Sequence, residues 1–551
     1  MPTFVWRRSL LSLGILGSLF VLAGGALVAM TDIPVIVPVV AALVIVGLQY
    51  LLAPWFLQLL VPAHVLDPRD GGYATDQPIG RIVADACRVA DVPLVRLGIV
   101  DDGTPNAFTF GRTRRDARIW VTRGLLERLD EEELEAVVAH EVAHIRNYDF
   151  AVMTAASVVP MVLYYAYLGT RTNGRPEALA AALVAWVGYL VAQLAVLALG
   201  RAREVGADHA SCARTGNGDA LCSALVKVVY GIGEEREARA ARVKELVEHE
   251  QKRIARKLEA RGRRMRVAGT LGIAQDRGAG ALAGAVETSL SQAEVMQALR
   301  WDACNPWSVA EEKLSTHPTV VSRIAALERS GLPGAPKAWR AADVTASCSG
   351  PELSRARRRF AGEALLRLGG WFALVAAVVV LRLAGTDADR LAACLLLVAG
   401  VILALRAVVM APLGAPERVS GVRALLDRLD ASPVSGILVR VRGSVVGRVD
   451  SGAVFSPDLT LRDGSGLVPL LWVQPLPFAR TLFGLLQADE FVGRDVEAVG
   501  WYHRGAAGPW IELRELRARD AGRTRCWMWA GRVVLSLAVL LAGAVAVVLT
   551  V

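Results

Sequence analysis

Several apolar runs, each about as long as the ~20 residues an α-helix needs to cross a bilayer, settle the class of this chain before any motif is considered. They fall at 9–30, 34–60, 150–170, 177–200, 368–385, 391–411 and 528–549. Lipid offers a peptide group no hydrogen bond, so each run is expected to be a helix. The chain is therefore expected to be an α-helical polytopic membrane protein with about seven transmembrane helices and substantial soluble parts. With 54% apolar residues over 551 positions, a disordered chain and a lone small soluble domain are both excluded. The first run follows Arg7 and Arg8 like a signal peptide, but it is long, lacks a convincing cleavage site and leads almost at once into the second, so it reads as a retained anchor.

The net charge of +9 is first of all topological information. Arg7, Arg8 and the segments 61–149, 201–367 and 412–526 all fall on one side of the runs, and the other side receives short connectors, of which one carries Arg171 and Arg175 against the rule. The expected arrangement is N-terminus in, C-terminus out, with the soluble mass cytosolic in a bacterial or similar cell membrane. The seven cysteines (87, 212, 222, 304, 348, 394 and 526) are scattered, odd in number and without CxxC spacing. Reduced thiols are expected, rather than a disulfide framework or a thiolate zinc site.

Between the second and third runs the pattern predicts a helix at about 76–90, strands at about 94–100 and 117–122, and a long helix from Asp130. Asp130 and Glu133 have capping-box spacing, ahead of Leu134, Val137, Val138, Val142 and Ile145 at helical intervals. Inside that helix lies His140-Glu141-Val142-Ala143-His144. Two histidines four apart project from one face, so both imidazoles can reach a single Zn2+ while Glu141 addresses a water on the metal. In a chain with this few histidines the pattern arises by chance about 0.01 times. A catalytic zinc then needs a third protein ligand. Glu204 and Asp208, again four apart and directly after the fourth run, are the candidates: Glu204 to bind metal, Asp208 to take the N–H of a ligating histidine and orient it. His209 is a rival ligand, about 100° round the helix from Asp208.

With these residues the chain resembles the HtpX-type membrane zinc endopeptidases, gluzincins grouped with the CAAX prenyl-protein endopeptidases. The resemblance also rests on Pro105-Asn106-Ala107-Phe108, on Asn147 and Asp149, and on Ser315-Thr316-His317-Pro318 followed by Arg323 and Ile324, and it covers about residues 1–330. It implies one Zn2+ per chain, held by His140, His144 and Glu204, and an α+β zincin domain in two parts, 62–149 and 201–350. It implies that Asn106, Ala107 and Phe108 lie along an edge strand where substrate backbone adds. His317 and Arg323 are implied near the catalytic centre, where they could stabilise an oxyanion. From the residues alone, 105–108 read equally as a turn after Asp101-Asp102-Gly103, and His317 as incidental to a helix start capped by Ser315 or Thr316.

Beyond about residue 350 the chain departs from that family. Two further spans (351–412), a strand-rich module (413–526) and a last span (527–551) follow, and the 210–310 insert is long. Within 234–266 the dense charge reads as a solvated helix laced with i,i+4 pairs, ahead of a clamp on anionic lipid. The module should contain strands at 437–449, 459–462, 467–473, 492–501 and 510–516, with Asp463-Gly464-Ser465-Gly466 as a hairpin turn. It looks like a small OB-type barrel. Trp501, Tyr502, His503 and Trp510 could offer stacking surface to nucleic acid, but a protein-interaction or substrate-gating module is favoured.

The expected function is zinc-dependent endopeptidase action on membrane or membrane-proximal polypeptides, in protein quality control, with Glu141 as general base. The alternatives are a CAAX-type prenyl-protein endopeptidase and a non-catalytic membrane scaffold that recruits partners through its C-terminal module.

Overall fold

The computed structural model describes residues 36–68, 73, 78–170, 176–229, 242, 295, 299–346, 348–383, 388–448, 457–505, 508–518 and 522–550. The apolar run at 9–30 and nearly all of the charged 234–266 segment lie outside them. The chain divides into two compact units, one of residues 1–232, 264–275 and 312–342, the other of 233–263, 276–311 and 343–551.

The first unit opens with α1 (Ile36–Leu60), which is apolar on every side and leaves Leu51, Trp55 and Leu59 exposed, as a lipid-facing rod should. After it come β1 (His64–Leu66), α2 (Ile79–Ala90), β2 (Arg96–Val100), β3 (Ala107–Phe110) and β4 (Arg118–Thr122). The four strands form one sheet in the order β1-β2-β4-β3, so among the described residues β3 has a free edge. The expected strands at 94–100 and 117–122 are present as β2 and β4.

A short helix α3 (Arg123–Arg128) leads to α4 (Glu131–Arg146). The capping box at its start is complete: Glu133 N–H donates to Asp130 Oδ1 at 3.0 Å, and Asp130 N–H to Glu133 Oε2 at 3.1 Å. The chain then turns sharply through Tyr148, whose φ of 54° is left-handed, into α5 (Asp149–Thr170). Next comes α6 (Pro176–Thr215), one continuous helix that outlasts the apolar run at 177–200 and carries Glu204 and Asp208 on its extension. The last element of the unit is α7 (Val320–Glu328), capped by Thr319, whose hydroxyl accepts from Ser322 N–H at 3.3 Å. Neither Ser315 nor Thr316 serves as that cap.

The second unit contains α8 (Pro351–Leu383), α9 (Ala388–Met410), a strand-rich module, and a final helix. The module's five longer strands are β5 (Ile437–Arg448), β6 (Leu459–Asp463), β7 (Gly466–Leu471), β8 (Asp495–Gly505) and β9 (Gly508–Ala518), with the short strands Glu417–Arg418 and Arg523–Arg525 added beside β5 and β9 and α10 (Pro477–Leu486) between β7 and β8; α11 (Met528–Thr550) follows. Pairing runs β5-β6-β7 antiparallel, β7-β9 parallel, then β9-β8 and β8-β5 antiparallel, so it closes on itself. The strands expected at 492–501 and 510–516 are longer than the apolar pattern suggested and form a single hairpin. The aromatics that could have offered a stacking surface to nucleic acid are not on the surface. Trp501, Tyr502 and His503 are 1%, 0% and 0% exposed; successive strand residues face opposite sides, so β8 is covered on both faces there, and His503 stacks on Trp510 at 5.4 Å. Burial pushes His503 down to about 3, so it is neutral.

Helices α9 and α11 approach closely through glycine. A Cβ on Gly400 would sit 2.5 Å from Leu540 Cα, and one on Gly543 2.5 Å from Leu397 N. Six helices among the described residues, α1, α5, α6, α8, α9 and α11, are long and apolar enough to cross a membrane. The protein is thus a polytopic membrane protein with a mixed soluble domain. One cysteine expectation is corrected: Cys304 and Cys348 are bonded, with Cα atoms 5.4 Å apart. Pairing across 44 residues depends on the fold and leaves no mark in cysteine spacing.

Candidate active site

Helix α4 places His140 and His144 on the face turned toward α6, with their Nε2 atoms 3.1 Å apart. The two helices are pinned together one turn away, where Ser211 Oγ donates to the carbonyl of Ala136 at 2.6 Å. That alignment brings Glu204 over the imidazoles, Oε2 at 3.7 Å from His140 Nε2 and Oε1 at 3.6 Å from His144 Nε2. The donor atoms of His140, His144 and Glu204 all lie within 4.8 Å of one another. His209, on the same helix, is buried but is not part of that group.

The residues fit a zinc ion. Two imidazoles and one carboxylate are a common catalytic donor set, and the buried Glu204 carboxylate turns one oxygen toward each imidazole. Burial opposes a positive charge on His140, yet the carboxylates of Asp208 and Glu204 outweigh it and raise the imidazole's pKa. The cavity therefore favours a cation.

Each histidine is braced from behind. Asp208 Oδ1 lies 2.9 Å from His140 Nδ1, and Asp149 Oδ2 lies 2.6 Å from His144 Nδ1. Asp149 reaches His144 because left-handed Tyr148 doubles the chain back at the end of α4. Asp149 is held in turn by Arg203, which also donates to the carbonyl of Asn147 at 2.8 Å.

The 313–317 segment is fastened to α6 by Arg201, whose Nη1 donates to the carbonyls of Lys313 and Ser315, both at 2.8 Å. This sets His317 Nδ1 at 3.0 Å from Glu204 Oε2. Arg323 arrives from α7 and is 2% exposed. Its Nε and Nη2 donate to the two oxygens of Asp208 at 2.8 and 2.5 Å. Burial works against its charge, but Asp208 holds the guanidinium above its usual pKa. Two of the guanidinium donors are thus engaged by Asp208, while Nη1 lies 4.0 Å from Glu204 Oε2.

The 106–108 segment leads into the edge strand β3. Ala107 and Phe108 are fully buried, and Phe108 packs with Phe110, Trp120 and Val61. Asn106 is anchored inward, its N–H donating to Thr122 Oγ1 at 2.8 Å. In a strand alternate residues share a face. With Phe108 and Phe110 turned to the core, Thr109 faces α4, and its hydroxyl donates to Glu141 Oε2 at 2.6 Å. Ala107 and Phe108 thus lie on an edge strand with their side chains turned inward, which leaves backbone groups as what β3 presents. Thr109 and Arg203 carry no motif of their own; strand parity was the signal for the first, and for the second its place one residue before Glu204.

Thr109 holds the Glu141 carboxylate and is not among the clustered donors. Thr109→Val should lower kcat about tenfold, the worth of one hydrogen bond to a charged group, with KM and zinc content unchanged, and Thr109→Ser should restore it. Equal loss in both variants would indicate a packing role instead.

A helix-borne pair of histidines with an intervening glutamate, completed by a glutamate from a second helix at the end of a membrane run, defines a membrane-anchored metalloprotease. Residues 74–330 match the model of peptidase family M48. A protease HtpX homolog of Methanothermobacter thermautotrophicus is 37% identical over 195 residues, which is 35% of this chain and 74% of that protein. A protease HtpX homolog of Burkholderia mallei is 28% identical over 232 residues, 41% of this chain and 79% of that one. The crystal structure of S. mikatae Ste24p aligns with 41% of this chain and 58% of that one, at 17% identity and a TM-score of 0.28. The chain belongs to peptidase family M48.

Proposed function

We propose that the chain is a zinc endopeptidase that cuts polypeptides at or just beyond the membrane surface, membrane proteins among them, in protein quality control. The observation that carries this reading is the continuity of α6. One helix runs from the apolar stretch into Glu204, only four residues past position 200, or about 6 Å of helical rise. Asp149, which braces His144, likewise opens α5. A site built on the ends of membrane helices meets loops and juxtamembrane tails first.

When bound by His140, His144 and Glu204, zinc supplies a Lewis acid that polarises the scissile carbonyl and makes water nucleophilic near neutral pH. Glu141, aimed by Thr109, takes the proton of the attacking water and returns it to the leaving amine. Asp208 and Asp149 accept the Nδ1–H of His140 and His144, which leaves each Nε2 lone pair facing the metal. Arg323 is a positioning residue acting through Asp208. His317, beside Glu204, meets the developing oxyanion. Substrate backbone pairs with the free edge of β3.

The test is a substrate panel in bilayers: an unstable multispan protein, a soluble unfolded protein and a farnesylated peptide. Cleavage within loops and tails of the first, abolished by chelator and restored by zinc, is expected. Chelator-sensitive cleavage confined to the other two would overturn the substrate assignment.

The C-terminal module is proposed to be an OB-type barrel that gates or recruits protein substrates, a reading supported by its closed five-strand pairing with α10 between the third and fourth strands. The distribution of Lys and Arg supports a cytosolic placement of the soluble parts. The Cys304–Cys348 bond stands against that placement, since a glutathione-reduced compartment disfavours disulfides. Acid-trapped alkylation of cells decides: both cysteines alkylated supports the cytosolic side, and a bonded pair places the segment on the opposite side.

A further inference from the structure

Helix α10 has a two-faced composition that the peptidase reading does not use. Phe483 is its inward anchor, 3% exposed and stacked on Trp472 at 4.0 Å with the rings 4° from parallel. Arg480 holds the next part of the inner side through Asp458, at 3.1 Å. The other side is apolar and open: Phe478, Leu482, Leu485 and Leu486 are 66%, 51%, 47% and 66% exposed. At spacings of four, three and one they form a single stripe. A stripe of that kind facing water is costly, at roughly 25 cal/mol per Å² left uncovered.

What covers it follows from where α10 begins. Gln474, three residues before Pro477, donates to the carbonyl of Arg525 at 2.8 Å and accepts from Trp527 N–H at 3.1 Å. Pro475 lies so close to the first turn of α11 that a Cβ on Gly531 would fall 2.7 Å from its ring. The start of α10 is thus tied to the point where the last membrane helix begins. Trp527 there is 50% exposed, and Leu413, three residues past the end of α9, is 71% exposed. Exposed indole and leucine beside two span ends are what the headgroup zone selects. The open stripe of α10 continues that zone, and the helix carries no acidic side chain.

We propose that α10 is an interfacial helix, its stripe of Phe478, Leu482, Leu485 and Leu486 immersed at the headgroup–acyl boundary of the leaflet where α11 begins. Lipid is its occupant. The module then rests on the bilayer at a point beyond its two flanking spans, so it cannot swing out on its linkers. The inference depends on membrane insertion and not on the peptidase chemistry, so loss of cleavage leaves it standing.

The experiment uses the full chain in bilayer nanodiscs, with a fluorescent amino acid at one position at a time and phosphatidylcholine brominated near the glycerol end of its acyl chains. Position 482 is the test. Position 534, on the outward face of α11 with Val534 67% exposed, is the lipid control, and position 442, where the Arg442 side chain is 81% exposed, is the aqueous control. Quenching at 482 within about twofold of that at 534 is expected, with circular dichroism unchanged. A second variant pair, Phe478→Asp with Leu485→Asp, should cut quenching at 482 to the level seen at 442 while the module stays folded. Quenching at 482 no greater than at 442 in the otherwise unaltered chain overturns the proposal; if a photocrosslinker at 482 then captures a second copy or a substrate protein, the stripe is a protein-docking face instead.

Discussion

Glu141→Gln should keep one zinc per chain and lose about a thousandfold in peptide hydrolysis, within the range ascribed to a positioned general base. The two halves of that expectation rest on different observations. Zinc is retained because Glu141 is not among the clustered donors, which are His140, His144 and Glu204. Activity is lost because an amide cannot take up a proton, even though its oxygen can still accept the Thr109 hydroxyl now 2.6 Å from the carboxylate. The substitution therefore changes charge and basicity with little change of shape. Metal analysis together with cleavage of a quenched fluorescent peptide reads both halves. Retention of more than a tenth of the activity would remove Glu141 from the role of base, and loss of zinc would make it a ligand.

The legible parts of this protein were those whose cause is local. The capping box of α4 is a contact between residues three apart, and the two histidines share a face because a helix repeats every 3.6 residues. The match of Glu204 and Asp208 to the histidines was readable because all four sit on helices that spacing alone defines. What escaped depends on register or on distant pairing. Strand parity decides that Phe108 enters the core while Thr109 meets Glu141, and a four-residue strand offers too little pattern to reveal its phase. Arg323 lies beside Glu204 and Asp208, where the resemblance implies it, but only the packing of α7 shows that two of its donors go to Asp208. In the module, apolar alternation located the strands and missed α10, whose leucines look like those of a strand or a core helix until the neighbours are known.

Glu204→Ala is expected to weaken zinc binding by more than the ~10–100-fold that loss of a bracing residue causes, and Asp208→Asn to stay within that range. The difference follows from position. Glu204 directs both oxygens at the histidines, at 3.6 and 3.7 Å, so its removal leaves two donors where a catalytic site requires three. Asp208 stands behind His140, 2.9 Å from Nδ1, and its loss frees an imidazole to rotate without deleting a donor. Folding should survive the first change, because Arg323 keeps its paired partner in Asp208. It is more exposed in the second, where a fully buried guanidinium loses the carboxylate that compensates it. Zinc competition against a calibrated chelator, run beside thermal melting of the apo forms, separates the two effects. An unaltered zinc affinity in Glu204→Ala would mean that the third donor lies elsewhere, and His209→Ala then becomes the decisive measurement, since His209 is the remaining imidazole on the same stretch of α6.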